Sequence, residues 1–215
     1  MIDHSVLRPE STEDDVKQGC QLAMRLGLAA VVVNSYHLPL TVAFLQDSKV
    51  KPCSVISFPF GLAGTMTKLA ETRDVLAKGA QEIDVVMNYS ALRSGREDYV
   101  LNEISSITTL AKQIERRTIV KVILETCYLN EDQKKKACQL AVKGGADFVK
   151  TSTGFGSAGA TVEDVRLLRQ TVQPTVGVKA AGGIRTTKQT LEMIEAGANR
   201  IGTSSSLSII SGVEE

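Results

Sequence analysis

Short apolar runs alternate along this chain with longer segments in which apolar and charged residues are mixed. Residues 29–34, 82–88 and 118–125 are examples of the mostly apolar runs. Runs of this length are typical of strands covered on both faces, whereas the mixed segments are typical of helices with one buried face. The pattern therefore predicts a regular alternation of strands and helices.

Eight strands are predicted in this way. They lie at residues 2–4, 29–34, 52–57, 82–88 and 118–125, in a run that begins at Phe148, and at residues 175–179 and 200–204. The intervening helices begin near Ser11 or Thr12, Leu38, Thr65, Arg96, Asn130, Thr161 and Thr186 or Thr187, and a short one covers residues 205–211. Eight βα units in a row close a (β/α)8 TIM barrel. We predict that residues 1–215 form this α/β barrel as a single domain; the alternative is an open, doubly wound sheet.

Three of the predicted connections from helix to strand are alike. In each of them a glycine, at position 79, 145 or 197, is followed directly by an alanine. Glycine commonly ends a helix, and the small alanine lets the end of the helix sit close to the sheet. We therefore expect these three units to be built in the same way.

The composition is that of an ordinary globular protein. Of the 215 residues, 43% are hydrophobic and 23% are charged, and 25 basic against 24 acidic residues leave a net charge of +1. No basic surplus indicates a nucleic-acid partner or an acidic membrane surface, and the longest apolar runs are far shorter than a membrane span. No signal peptide is visible at the start of the sequence, so we expect a cytoplasmic protein. The four cysteines have no C-x-x-C spacing, which predicts reduced thiols and no metal site.

Two lysines stand in predicted strands. Lys150 follows Phe148 and Val149, and Lys179 occupies the next strand along the chain. Burying an ammonium group is costly unless it is paired or loses its proton, and a lysine that has lost its proton is an amine nucleophile. Two inward-facing lysines on neighbouring strands would each disfavour the charge of the other. The pair therefore predicts a reactive amine inside the barrel.

Further charged residues in the predicted strands point to the same place. Side chains alternate between the two faces of a strand, so Lys121 and Asp84 can face inward with the lysine pair, and Asp3 lies near the end of the first strand. Three alternatives remain. Lys150 could extend along the outside of the barrel, Asp84 and Lys121 could form only a buried ion pair, and Asp3 could cap a helix.

The glycine-rich stretches allow two interpretations. Residues 154–159 fit the dinucleotide pattern G-x-G-x-x-G, but the next strand lacks the acidic residue that a nicotinamide site requires, so we disfavour that cofactor. Phosphate binding is better supported, because barrels often hold a phosphate in the loops after strands seven and eight. The candidates there are Gly182, Gly183, Ser204 and Ser205. The alternative is ordinary turn chemistry.

Six strand-end segments together resemble the deoxyribose-phosphate aldolase family. They are residues 2–4, 82–86, 121–126, 150–155, 177–185 and 200–204, and they occur in the family's order over nearly the whole chain. The segments with Lys150 and Lys179 are the most specific of them. Two departures accompany the resemblance: the chain begins at the first strand, and it ends at Glu215 without the C-terminal tyrosine that some members use in proton transfer.

The resemblance implies a class I aldolase on a (β/α)8 barrel, with no cofactor and no metal. It would cleave 2-deoxy-D-ribose 5-phosphate reversibly to acetaldehyde and D-glyceraldehyde 3-phosphate, and a homo-oligomer is compatible with it. Lys150 would be the Schiff-base lysine, Lys179 the lysine that perturbs it and Asp84 the acid/base partner. The supporting polar residues would be Asp3, Lys121 and Thr153. The alternatives are another Schiff-base aldolase or transaldolase for a different sugar phosphate, and a non-catalytic phosphate-binding barrel.

Overall fold

Eight parallel strands close into a barrel in a computed structural model that describes residues 1–212. They are β1 (Ile2–Val6), β2 (Ala30–Val33), β3 (Lys51–Ile56), β4 (Glu82–Val86), β5 (Ile119–Ile123), β6 (Phe148–Lys150), β7 (Gly177–Ala181) and β8 (Arg200–Thr203). Each strand pairs with its neighbours in sequence, and β1 also pairs with β8. The predicted barrel is thus confirmed and the open sheet is wrong. The predicted departure from the family at Glu215, which concerns a C-terminal tyrosine, lies outside the described residues.

Helices fill the connections between the strands. They are α1 (Glu13–Leu26), α2 (Leu38–Leu45), α3 (Thr65–Ala77), α4 (Tyr89–Arg93), α5 (Glu97–Ile114), α6 (Glu131–Lys143), α7 (Val162–Thr171), α8 (Thr187–Glu195) and α9 (Ser206–Ser211), with a 3₁₀ turn at Thr126–Tyr128. Neither α4 nor the 3₁₀ turn is predicted from the sequence, because elements this short show no helical period. Among the helices of residues 1–212, none combines the length and the apolar character needed to cross a membrane.

Side-chain caps mark several of the helix starts. Thr12, Asn130 and Thr186 each accept a hydrogen bond from the backbone three residues on, within a full capping box. The third helix begins at Thr65, as predicted, but Thr65 does not cap it, because Gly64 occupies the cap position without a side-chain hydrogen bond.

The three similar connections have the predicted geometry. Gly79, Gly145 and Gly197 have φ values of +98°, +87° and +112°, in the region that L side chains rarely adopt. At Gly197 an added Cβ would also lie 2.5 Å from Cγ of Arg169. Each glycine therefore turns the chain from the helix end back to the start of the next strand.

The two faces of the barrel wall differ in chemistry. Outward-facing residues such as Ile83, Val120 and Val178 are buried among the apolar side chains of the surrounding helices. The inward-facing neighbours of these residues include Asp84 and Lys121, which are also fully buried. The apolar core therefore lies between strands and helices, while the barrel interior is charged.

Candidate active site

The strand register brings the predicted residues side by side. Lys150 is the last residue of β6 and is aligned with Lys179 of β7, and Asp84 of β4 is aligned with Lys121 of β5. All four side chains point into the barrel and are almost completely buried. The alternative that Lys150 extends along the outside of the barrel is therefore wrong.

Asp84 lies at the centre of the charged interior. Its Oδ2 accepts hydrogen bonds from Nζ of Lys150 at 2.8 Å and Nζ of Lys179 at 2.7 Å, and its Oδ1 accepts one from Nζ of Lys121 at 2.8 Å. The Cys53 thiol donates to the same Oδ1 at 3.5 Å. Asp84 and Lys121 therefore do form an ion pair, but as part of a larger arrangement.

A second layer of charge lies deeper in the barrel. Asp3 accepts from Lys179 Nζ at 2.6 Å through Oδ2 and from Arg200 Nη1 at 2.6 Å through Oδ1, so it is not a helix cap. Glu82 lies 2.6 Å from Lys121 Nζ and 3.4 Å from Arg200. We call the complete set the interior ion cluster: Asp3, Glu82, Asp84, Lys121, Lys150, Lys179 and Arg200.

Glu82 and Arg200 are functional candidates that the sequence interpretation missed. Each stands at the first position of its strand, where a charged residue is ordinarily explained as facing solvent. The signal that could have found Glu82 is its spacing of two from Asp84 in β4, which places both on one face. No comparable signal marks Arg200, because its inward partner on β8 is Gly202.

The two reactive-lysine candidates are shifted in opposite directions. Burial lowers the pKa of Lys150, and the positive charge of Lys179 lowers it further, against the opposing effect of Asp84. Burial would also lower the pKa of Lys179, but its two carboxylate partners, Asp3 and Asp84, outweigh burial and raise it. Lys150 is thus the lysine that gives up its proton more easily.

The acids of the cluster are held in their ionised form. Burial alone would raise the pKa of Asp3, but Lys179, Lys121 and Arg200 outweigh it and lower that pKa to about 2. In the same way, burial would raise the pKa of Asp84, but the three lysines bring it well below its ordinary value. Both carboxylates are therefore ionised at neutral pH.

A cavity of about 260 Å³ opens above these residues at the C-terminal end of the strands. Lys150, Lys179 and Asp3 contribute to its lining from the barrel, and the loops after β6, β7 and β8 contribute most of the rest. Its loop residues include Thr153, Gly154, Phe155, Gly182, Gly183, Arg185 and Ser204. A ligand bound in this cavity would therefore lie next to Lys150.

Three of the four phosphate candidates line this cavity. Gly182, Gly183 and Ser204 belong to its wall, whereas Ser205 does not, and the Ser205 N–H donates to Thr203 Oγ1 at 2.9 Å. Gly182 and Gly183 have φ values of +89° and +77°, which a glycine tolerates best. The chain can therefore present backbone there without a side chain in the way.

The glycines at 154–159 have a structural reason that needs no dinucleotide. A Cβ on Gly159 would lie 2.1 Å from the carbonyl oxygen of Gly182, so the two backbones touch. The N–H of Ala160 donates to the carbonyl oxygens of Ala181 at 3.1 Å and Gly182 at 3.0 Å. The loop after β6 is thus fastened to the loop after β7.

Thr153 connects the cavity to the buried acid Glu125, which is not among the predicted site residues. Its hydroxyl donates a short hydrogen bond to the Glu125 carboxylate, and its N–H donates to the same group at 3.2 Å. Glu125 has a φ of +55°, which is uncommon for a side-chain residue, and burial raises the pKa of its carboxyl. Thr153 is therefore held in place at the cavity wall from behind.

The comparisons with known proteins agree with this geometry. A family model described as DeoC/LacD family aldolase matches residues 1–212. The chain belongs to this aldolase family. The predicted family is thereby confirmed, and the charged barrel with its strand-end cavity is the interior of a DeoC/LacD-type aldolase.

Relatives of this aldolase cover almost its whole length. The deoxyribose-phosphate aldolase of Thermococcus gammatolerans is 53% identical over 213 residues, which are 98% of this chain and 94% of that protein. The deoxyribose-phosphate aldolase of Thermococcus kodakarensis is 51% identical over 216 residues, with 100% and 96% covered. Among solved structures, the tetrameric deoxyribose phosphate aldolase from Aeropyrum pernix superimposes with a TM-score of 0.91 at 36% identity, covering 98% of this chain and 88% of that one.

Proposed function

We propose that this aldolase reversibly cleaves 2-deoxy-D-ribose 5-phosphate to D-glyceraldehyde 3-phosphate and acetaldehyde through an imine at Lys150. One observation carries the proposal: Lys150 Nζ lies at the bottom of an open cavity and has a single carboxylate partner. An ammonium has three protons to donate, so two remain without an acceptor among residues 1–212. The names of the relatives support the choice of sugar.

The imine supplies the electron sink that the reaction needs. The neutral Nζ attacks the C1 aldehyde of the open-chain sugar to give a carbinolamine, whose hydroxyl takes up a proton and leaves as water, so that a protonated imine remains. When the C3 hydroxyl gives up its proton, the C2–C3 bond breaks, C3 becomes the aldehyde of glyceraldehyde 3-phosphate, and the electron pair moves into an enamine on Lys150. A proton then adds to C2, and water hydrolyses the imine to release acetaldehyde.

Asp84 and Lys179 have the geometry of a proton relay in this scheme. Asp84 Oδ2 contacts the Nζ atoms of both lysines, at 2.8 Å for Lys150 and 2.7 Å for Lys179, so a proton can pass between them. The positive charge of Lys179 also lies beside Nζ of Lys150, where it favours the neutral form of the Lys150 amine before the attack. Asp3 and Lys121 support this pair by fixing its position. Thr153 is placed to contact a substrate hydroxyl.

The loops after β7 and β8 would hold the phosphate of the sugar. Gly182, Gly183 and Ser204 lie in the cavity wall, where the glycines leave room for an anion and backbone N–H groups and the Ser204 hydroxyl would donate to it. Ser205 would shape the loop rather than touch the anion, because its N–H is already bound to Thr203. Binding at this distance from C1 positions the sugar for the reaction at Lys150.

The unit of function that we infer is the whole chain, residues 1–215 acting as one domain on small sugar phosphates and aldehydes. The tetrameric relative from Aeropyrum pernix supports a homo-oligomer. Light scattering on the purified protein measures this directly, and a mass of one chain at catalytic concentration would contradict it.

Mass spectrometry after borohydride treatment tests the function most directly. Incubation with acetaldehyde and borohydride is expected to add a reduced two-carbon group to the peptide that contains Lys150, and Lys150→Leu is expected to lose that adduct. Bound sugar phosphate without any adduct would indicate a non-catalytic barrel. An adduct together with turnover of other sugar phosphates, but not of deoxyribose 5-phosphate, would indicate a different Schiff-base aldolase or a transaldolase.

A further inference from the structure

The bases of the interior ion cluster outnumber its acids by one. The four bases are Lys121, Lys150, Lys179 and Arg200, and the three acids are Asp3, Glu82 and Asp84. Among residues 1–212, no other acid forms an ion pair with any of the four bases. Because an unbalanced buried charge is costly, the cluster is most stable when one base is neutral.

The contacts decide which base that is. Arg200 does not lose its proton in a protein, and it contacts both Asp3 and Glu82. Lys121 lies within 4 Å of all three acids, and Lys179 contacts two of them. Lys150 contacts one acid only. The neutral base is therefore Lys150, the residue that faces the cavity.

We propose that Arg200 is a positioning residue for the reaction. Its permanent positive charge makes the bases of the interior ion cluster outnumber the acids, and this excess keeps Lys150 neutral. The inference rests on the proposed function of Lys150. Arg200 stands at the start of β8 with its guanidinium over the Phe148 ring, 5.6 Å from the centroid, and its side chain is 13% exposed. Arg200 acts through Asp3 and Glu82. A carboxylate that is already paired with Arg200 stabilises the protonated form of a neighbouring lysine less.

Other titratable groups around Lys150 do not change this balance. The groups that face it from the packed elements are Asp3 on β1, Cys53 on β3, Glu82 and Asp84 on β4, Lys121 on β5 with Glu125 just beyond, Lys179 on β7 and Arg200 on β8. Burial raises the pKa of the Cys53 thiol, which is therefore uncharged. Glu125 interacts with the charge of Lys150, but burial raises the pKa of its carboxyl, it is hydrogen-bonded to Thr153, and it forms no ion pair among the described residues. The rim residues Arg8 and Arg185 are exposed, so solvent screens their charges.

The test measures how the rate of imine formation at Lys150 depends on pH. Acetaldehyde is mixed with enzyme at each pH, borohydride stops the reaction, and the Lys150 peptide is quantified by mass spectrometry. Arg200→Met leaves three bases against three acids, so the midpoint of the rise in rate is expected to move up by about one pH unit. Glu82→Gln leaves four bases against two acids, and the midpoint is expected to move down by a similar amount.

The double variant separates charge from structure. Arg200→Met with Glu82→Gln leaves three bases against two acids, which restores the excess of one, so its midpoint is expected to return to the wild-type value. If Arg200→Met fails to fold, the comparison of Glu82→Gln with the double variant still decides. Unmoved midpoints, or single variants that shift in the same direction, would overturn the role of Arg200 while leaving the imine intact. Absence of an adduct on Lys150 in the wild type would instead overturn the proposed function itself.

Discussion

Two buried lysines show what distinguishes a structural ammonium from a reactive amine. Lys68, outside the barrel on α3, is 0% exposed, and its Nζ donates to both Glu103 carboxylate oxygens at 2.6 and 3.0 Å and to the Val86 carbonyl at 2.9 Å. Lys150, inside the barrel, is 3% exposed and, within residues 1–212, donates to Asp84 alone. Burial lowers the pKa of both lysines.

The difference between the two regions lies in the partners and in access. All three donors of Lys68 have an acceptor, and its acid serves no other base within residues 1–212. Lys150 shares its one acid with two other lysines and faces an open cavity. A lowered pKa is therefore not sufficient for a nucleophile. A nucleophilic lysine also needs a counterion that it shares with other bases and a cavity through which the substrate can reach it.

The largest expected effect is the loss of catalysis at the inner lysine. Lys150→Leu is expected to lower kcat/KM for deoxyribose 5-phosphate by roughly 10⁴-fold or more, because no other amine can form the imine. The free energy of unfolding is expected to stay the same or to rise, since Asp84 keeps two lysine partners. Steady-state kinetics and urea unfolding check the two parts. A variant that retained a tenth of the activity would contradict the comparison.

The outer lysine is expected to show the reverse. Lys68→Met leaves the buried Glu103 carboxylate without its partner, so the free energy of unfolding is expected to fall by about 3–5 kcal/mol. The kcat of the folded fraction is expected to be unchanged. Removing both charges, by Lys68→Met with Glu103→Leu, is expected to recover most of the stability in urea unfolding. A loss of kcat at full stability would show that the two regions are not separate.

Lys179→Leu sharpens the comparison through the pH profile. Burial is the largest cause of the lowered pKa of Lys150, and the charge of Lys179 adds to it. Removing that charge raises the pKa of Lys150, so less neutral amine is present at pH 7 and kcat/KM is expected to fall by about 100-fold. The rising limb of the profile is expected to move to higher pH. A rising limb at the same pH as in the wild type would show that Lys179 does not act by lowering the pKa of Lys150.

The smallest expected effect concerns the phosphate loop. Gly183 has a φ of +77°, so Gly183→Val is expected to shift the loop and to lower kcat/KM for deoxyribose 5-phosphate relative to unphosphorylated deoxyribose by about 10-fold. Gly95 is a matched control, because its φ is +72° and nothing lies within 4 Å of an added Cβ, but it stands in the turn between α4 and α5. Gly95→Val is expected to leave the ratio unchanged. Equal ratios in both variants would place the phosphate elsewhere.

The barrel and its central lysines were predictable because they follow from local patterns. Alternation within a strand put Asp84, Lys121, Lys150 and Lys179 on inner faces, and the order of the strands made them neighbours. The ends of the strands were less accurate. The predicted seventh strand, residues 175–179, is shifted relative to Gly177–Ala181, because its position in the barrel depends on pairing with β6 and β8.

The residues that were missed depend on contacts between distant parts of the chain. Arg200 is an interior residue only because β8 closes against β1 and brings it to Asp3, and the sequence has no local sign of that closure. Glu125 turns inward through a left-handed backbone that no propensity favours. Lys68 on α3 forms its ion pair with Glu103 on α5, 35 residues further along the chain. The cytoplasmic location and the absence of a nucleic-acid partner stay predictions.

The backbone contact between Gly159 and Gly182 has a consequence for changing the substrate range of this enzyme. Because the two loops are joined there, a larger residue at either glycine would displace the Lys150 side and the phosphate side of the cavity together. Phe155 and Arg185 are exposed at the same cavity, and the Phe155 ring contacts the Phe58 ring edge to face rather than through the backbone. Substitutions that aim at new acceptor aldehydes are therefore best made at those two positions, while Gly159 and Gly182 are kept unchanged.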